Sequence, residues 1–196
     1  MHQLYEWAHT PWEWHSPIMK RAKEHGMECF SSPFDETAVD FLEDLNVPAY
    51  KIASFEMTFD DLLKCVAQTG KPIILSTGMA TLTEIAHALE VLDKNGAGPT
   101  ILLHCCSSYP ASLESINLNA MLAMGTHFNN LVGFSDHTIG TIAPLTAIAM
   151  GAVAIEKHYT SDPTRNGPDH RFSACLLYTS DAADEGLGVD LGGRRI

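Results

Sequence analysis

Tyr50-Lys51-Ile52-Ala53-Ser54-Phe55-Glu56 is the stretch whose reading decides the fold. It follows the turn signal Asn46-Val47-Pro48 and begins as an apolar strand. It then places a lysine, a serine and a carboxylate within the six residues 51–56. Side chains alternate along a strand, so a strand continued past Ala53 would send Lys51 and Ser54 to opposite faces. The strand is therefore expected to end near Ala53, with Ser54 and Glu56 on the loop that follows. Polar groups gathered at the C-terminal tip of a buried strand are how parallel α/β folds build ligand sites. The plainer alternative is a core strand with a snorkelling lysine and a surface glutamate.

The pattern repeats on both sides of this stretch. Upstream, Ser16-Pro17 opens a helix that runs to Gly26, with the serine as N-cap. Met27 to Phe30 reads as a short strand leading to Ser31-Ser32-Pro33. Asp35 caps a helix whose Ala38, Phe41, Leu42 and Leu45 form one apolar face. Downstream, a helix over 60–69 stops at Gly70, and Pro72-Ile73-Ile74-Leu75 is a strand ending in Ser76-Thr77-Gly78. Thr81 and Glu84 form a capping box for a helix to about residue 92. Strand 100–103 leads into His104 to Pro110, a helix is expected over 114–124, and strand 131–134 leads into Ser135-Asp136-His137-Thr138. A small-residue helix over 142–150 precedes strand 152–155 and then Glu156-Lys157-His158.

Six expected strands thus end in polar tips at Ser32, Ser54, Ser76, Ser107, Ser135 and His158, spaced by 22, 22, 31, 28 and 23 residues. Apolar strands alternating with amphipathic helices mean parallel βαβ units. No G-x-G-x-x-G fingerprint is present, which disfavours a dinucleotide fold. A closed barrel needs eight strands and about 250 residues, so six strands leave a smaller open sheet or a partial barrel.

The chain has 196 residues, 45% of them hydrophobic, enough for one domain with a real core. Its formal net charge of −12 argues against a nucleic-acid groove or an anionic membrane surface. A local basic pocket for a small anion stays compatible with that charge. Five cysteines, two of them adjacent, read as reduced thiols of a cytoplasmic protein. No apolar run approaches the roughly 18 residues of a membrane span. The three tryptophans, Trp7, Trp12 and Trp14, fall in the first fifteen residues and are expected to pack against the fold. Residues 175–196 follow neither a helical nor a strand period and are expected to be a non-native tail, leaving 1–174 as the folded domain.

The tips carry the chemistry. His137 and His158 end the last two strands, and neighbouring strands lie under about 5 Å apart, so both imidazoles could reach one divalent metal. They could equally well only hydrogen-bond loop backbone. Lys51 could neutralise a phosphate or carboxylate, form a Schiff base, or be a surface lysine. Ser32, Ser54, Ser76 and Ser135 would offer hydroxyl donors to an anion. Glu56 could act as general acid or base, or be an ordinary glutamate near a helix N-terminus. Asp169 could orient a substrate hydroxyl or form a turn.

Together these residues resemble the sialic acid synthase family, the phosphoenolpyruvate-condensing synthases of nonulosonic acids. The matching blocks are Phe30-Ser-Ser-Pro-Phe-Asp35, Pro48-Ala-Tyr-Lys-Ile-Ala-Ser54 with Glu56, Ile74-Leu-Ser-Thr-Gly78, Tyr109-Pro110, Gly133-Phe-Ser-Asp-His-Thr138, Ile155-Glu-Lys-His158 and Gly167-Pro-Asp169. The resemblance implies strands three to eight of a (β/α)8 TIM barrel, without the first two strands or the family's C-terminal antifreeze-like domain. It implies a divalent metal, Mn2+ foremost with Mg2+ or Co2+ as substitutes, held by His137 and His158. It places Lys51, Ser54, Ser76, Ser135 and Ser32 around phosphoenolpyruvate, Glu56 as the catalytic carboxylate, and Tyr109, Ser107 and Asp169 on the sugar side. The implied partners are phosphoenolpyruvate and an amino-sugar aldose, and the implied assembly of the complete enzyme is a homodimer. The opening Tyr5 to His15 and Ala53-Ser54-Phe55-Glu56 are most similar to the pseudaminic acid synthase branch, while Gly167-Pro168-Asp169-His170 is nearer the N-acetylneuraminate branch. A Schiff-base aldolase using Lys51 and an inert barrel fragment are the rival expectations, and with two strands missing this chain by itself is expected to be inactive.

Overall fold

The computed structural model describes residues 9–175. The expectations for Trp7 and for the tail beyond Cys175 lie outside them. The described elements alternate helix and strand: α1 (His15–Glu24), α2 (Glu36–Asp44), β1 (Tyr50–Ile52), α3 (Asp60–Gln68), β2 (Ile73–Ser76), α4 (Leu82–Lys94), β3 (Thr100–Cys105), α5 (Leu118–Phe128), β4 (Leu131–Asp136), α6 (Ile142–Ala149) and β5 (Ile155–Lys157). The strands form one parallel sheet in the order β1-β2-β3-β4-β5, the α/β arrangement of part of a TIM barrel.

By backbone contacts the chain divides into two compact units. The first runs up to Ile74 and includes His87–Pro99. Its core is Val39, Leu42, Tyr50, Ile52, Leu63 and Val66, all nearly or fully shielded from solvent. Tyr50 points toward α2, where its hydroxyl donates to Glu43 Oε1 at 2.7 Å, and Lys71 Nζ reaches the same oxygen at 2.5 Å. Burial of Glu43 opposes its charged form. The bonds from Lys71 and Tyr50 outweigh it and hold the carboxyl below its ordinary range.

The local signals of this unit mostly form as read. Asp35 accepts the Ala38 N–H at 2.9 Å as an N-cap. Gly26, at φ +69°, ends α1 in a Schellman pair, Met27 N–H to Ala22 O and Gly26 N–H to Lys23 O, both at 3.0 Å. Four expectations are corrected. Ser16 is not the N-cap, because a 3-10 turn over Trp12–Trp14 runs straight into α1 and moves its start to His15. The buried positions of α2 are Val39 and Leu42 rather than the whole 38, 41, 42, 45 face. Trp12 stacks on Phe41 with ring centroids 4.4 Å apart, but Trp14 stays 56% exposed. Residues 27–30 do not form the expected sixth strand. The only described ladder-like bond beside β1 there is Lys51 N–H to Ser31 O, at 3.4 Å, and Met27 is exposed. A strand exists by pairing, and one long bond does not establish it.

The second unit comprises Leu75–Ala86 and the chain from Thr100 on. Its core is Leu102, Leu103, Met121, Met124, Phe134 and Ala147. The capping box forms in full: the Thr81 N–H reaches Glu84 Oε2 at 2.7 Å and the Glu84 N–H reaches Thr81 Oγ1 at 3.3 Å. β3 and β4 pair in parallel from Ile101↔Leu131 to Cys105↔Ser135, and β4 and β5 from Phe134↔Ile155 to Asp136↔Lys157. The helix expected over 114–124 lies four residues later, because the loop after β3 is tied back by Ala111 N–H to His137 O at 3.0 Å. β4 runs two residues deeper into polar sequence than expected, and β5 starts at Ile155, so Ser135, Asp136, Glu156 and Lys157 are strand residues.

Gly133 sets the spacing of this part of the sheet. A Cβ there would meet Ala154 O at 2.5 Å and Leu103 Cδ2 at 2.7 Å. The first contact is with backbone and cannot be relieved by a rotamer change. Gly133→Ala is expected to cost about 1–3 kcal/mol, read as a fall in the thermal unfolding midpoint; an unchanged midpoint would show that β4 and β5 can part without penalty.

Candidate active site

The polar tips fall into two groups, one in each unit. In the first unit, β1 buries Tyr50 and Ile52 fully, so Lys51 between them faces the other side of the sheet. The strand ends at Ile52, as the alternation argument requires, and Ser54 lies in the turn that follows. Ser32 adjoins Ser31, whose carbonyl accepts the Lys51 N–H. Glu56 opens a 3-10 turn over Glu56–Thr58, and its N–H is held by Ala53 O at 3.2 Å. Its Oε2 is buried and has no hydrogen-bond partner among the described residues. A carboxylate oxygen removed from water without a partner is costly, which separates Glu56 from an ordinary solvated first-turn glutamate.

In the second unit, His137, His158, Tyr109, Asp169 and Phe172 converge. The two imidazole centroids are 5.4 Å apart, and Tyr109 lies 4.3 Å from the His137 ring. Phe172, only 2% exposed, lies 5.0 Å from the His158 ring. His137 Nδ1 is 2.8 Å from Cys106 O. A carbonyl only accepts, so Nδ1 carries the proton and Nε2 keeps its lone pair for a ligand. His158 Nδ1 lies 3.5 Å from Asp169 Oδ2. Burial pushes the His158 pKa below its ordinary 6.5 and the nearby His137 adds to this, against the opposing pull of Asp169. Burial thus favours the neutral ring of His158, the form that binds metals. Burial also pushes the Tyr109 hydroxyl above its ordinary range, with the charges of Cys105, Asp169, Glu156 and Cys106 adding to it.

The donor set fits a divalent cation held by two imidazole nitrogens. Among the described residues no group of three or more His, Cys, Asp or Glu is placed to hold a metal.

The remaining expected residues are more varied. Ser76 is the last residue of β2 and is 3% exposed. Ser107 lies half-buried in the loop after β3. Ser135 is 3% exposed, and its hydroxyl donates to Glu156 Oε1 at 2.6 Å, so this proton is already committed within the protein. Sequence reasoning missed Glu156 and Phe172 as well as an ion pair between Asp136 and Lys157. Charges at the ends of apolar strands were the available signal for Asp136, Glu156 and Lys157. Phe172 gave less warning, as a single aromatic in a polar loop.

The parallel sheet, its first four strands each followed by a helix, is the α/β arrangement of part of a TIM barrel. The family model described as the NeuB family matches residues 1–177, and the chain belongs to that family. It is 41% identical over 173 residues to the pseudaminic acid synthase of Campylobacter jejuni, covering 88% of this chain and 50% of that protein. It is 46% identical over 161 residues to the N,N'-diacetyllegionaminic acid synthase of the same organism, covering 81% of this chain and 48% of that protein. The structure of N-acetylneuraminic acid synthetase from Leptospira borgpetersenii in complex with citrate superposes with a TM-score of 0.82 at 34% identity, covering 95% of this chain and 68% of that one. The chain spans about half the length of the curated relatives it matches. No helix among the described residues is long and apolar enough to cross a membrane.

Proposed function

We propose that this chain forms part of a cytoplasmic synthase that condenses phosphoenolpyruvate with a 2,4-diacetamido-trideoxyhexose, giving pseudaminic acid and phosphate. The observation that carries the proposal is the pair of close imidazoles at adjacent strand tips, His137 with its Nδ1 on Cys106 O and His158 beside Asp169, next to Tyr109. His137 and His158 would hold the divalent ion, Mn2+ with Mg2+ or Co2+ as substitutes, which when bound supplies Lewis-acid polarisation of the acceptor's aldehyde oxygen. Lys51, with Ser32, Ser54 and Ser76, would neutralise and orient the phosphate and carboxylate of phosphoenolpyruvate. Ser135, whose hydroxyl donates to Glu156 Oε1, would redirect it to the anion. The enol carbon attacks the aldehyde carbon, water adds to the cationic carbon, and phosphate leaves by C–O cleavage. Glu56 steers and deprotonates that water. Tyr109, Ser107 and Asp169 would face the sugar. A homodimer is the proposed assembly of the complete enzyme.

The opening Tyr5 to His15 and Ala53-Ser54-Phe55-Glu56 support the pseudaminic branch. Overall identity does not choose it, since the legionaminic relative is 46% identical against 41% for the pseudaminic one. Gly167-Pro168-Asp169-His170 supports the N-acetylneuraminate reading as the second choice. The test is phosphate release by a chimera in which this chain replaces the matching half of the Campylobacter jejuni pseudaminic acid synthase. Phosphoenolpyruvate is expected to turn over with 2,4-diacetamido-2,4,6-trideoxy-altrose in preference to N-acetylmannosamine. Preference for N-acetylmannosamine would move the chain to the neuraminate branch. Turnover with pyruvate, insensitive to chelator and trapped on Lys51 by borohydride, would replace the mechanism with a Schiff-base aldolase.

Lys51→Ala in the same chimera is expected to raise KM for phosphoenolpyruvate strongly. Losing a desolvated charged contact at a binding site costs about 2–5 kcal/mol, about 30- to several-thousand-fold in affinity. An unchanged KM would remove Lys51 from the anion site.

A further inference from the structure

The tips of β4 and β5 are joined by a second set of contacts, on the residues immediately before the two histidines. Asp136 and Lys157 are direct partners in the parallel register. Asp136 is fully buried, and the Lys157 side chain is 14% exposed. Lys157 Nζ pairs with Asp136 Oδ2 and also donates to Thr138 O at 2.8 Å. The other carboxylate oxygen, Oδ1, accepts the Thr138 N–H at 2.8 Å. Asp136 and Thr138 flank His137, so the backbone on both sides of that histidine is bound into one ring through the residue next to His158. The strand ladder ends at Asp136↔Lys157, so these side-chain bonds take over where backbone pairing stops.

Stability alone is a poor account of this arrangement. A buried ion pair is weak evidence of stabilisation, and apolar residues of similar volume commonly serve as well or better. What the ring does supply is a fixed relation between two adjacent tips, which a site needs when two side chains must meet one small ion. We infer that Asp136 and Lys157 are positioning residues that pre-set His137 and His158 for a single divalent cation. The inference rests on His137 and His158 being the metal ligands.

The test compares the parent chain with Asp136→Asn/Lys157→Met, which removes both charges together and so avoids stranding one in the interior. Mn2+ binding is followed by calorimetry. The second readout is the NMR signal of the His137 imidazole N–H, held by Cys106 O in the parent. The double variant is expected to keep its circular dichroism, bind Mn2+ about 10- to 100-fold more weakly, and broaden or lose the imidazole signal. Asp136→Asn/Lys157→Gln, which keeps a donor to Thr138 O and drops both charges, takes its place if the first double variant does not fold. A folded variant with parent-like affinity and an unchanged imidazole signal would overturn the positioning role. If His137→Ala/His158→Ala binds Mn2+ like the parent, the metal assignment itself fails. The imidazole signal then decides alone whether the ring orders His137.

Discussion

Alanine at both His137 and His158 is expected to abolish the calorimetric signal for Mn2+ binding by this chain. The two rings lie with centroids 5.4 Å apart, and the free nitrogen of His137 is defined by the bond its Nδ1 makes to Cys106 O at 2.8 Å. Among the described residues no group of three or more His, Cys, Asp or Glu is placed to hold the ion in their stead. Each single variant keeps one imidazole and should fall between parent and double variant. Binding should also weaken as the pH falls, because protons compete for the same nitrogens. For His158 that competition is shifted to lower pH than for an ordinary imidazole, since burial disfavours the charged ring. The buried His137 also fills volume against Phe172, so circular dichroism must accompany the titration. Unchanged stoichiometry in a folded double variant would end the assignment.

Much of this arrangement could be read from the sequence because its signals are local. The Thr81–Glu84 capping box, the Asp35 cap and the Gly26 stop each depend on three or four neighbouring residues and form as written. The end of β1 after Ile52 followed from alternation alone. The misses lie where distant segments decide. Residues 27–30 have strand-like composition, but composition does not supply a pairing partner. The start of α5 depends on how the loop after β3 is anchored at His137, more than twenty residues away in the chain. The histidines could be named from their tips, whereas the lowered pKa of His158 needs the burial and neighbours that only folding provides. Asp136 and Lys157 looked like incidental charges until the register made them partners.

Glu56→Gln is expected to lower turnover in the chimera by roughly 10²- to 10⁴-fold, the usual contribution of a positioned general acid or base, with the affinity for phosphoenolpyruvate nearly unchanged. Glutamine keeps the shape of the side chain and its fit in the turn over Glu56–Thr58, so the fold is a minor variable. What it loses is the ability to take a proton. Oε2 is buried without a hydrogen-bond partner among the described residues, and an oxygen held that way is costly to the fold. Glutamine leaves a polar group in the same place, so the thermal midpoint of Glu56→Gln is expected to stay close to the parent's even as turnover collapses. Lys51→Ala should differ from it by acting mainly on KM, since a cation that holds the donor's phosphate works before and during the reaction alike. If Glu56→Gln instead raised KM and left turnover intact, Glu56 would belong to substrate binding, and the water attacking the cationic carbon would need another base.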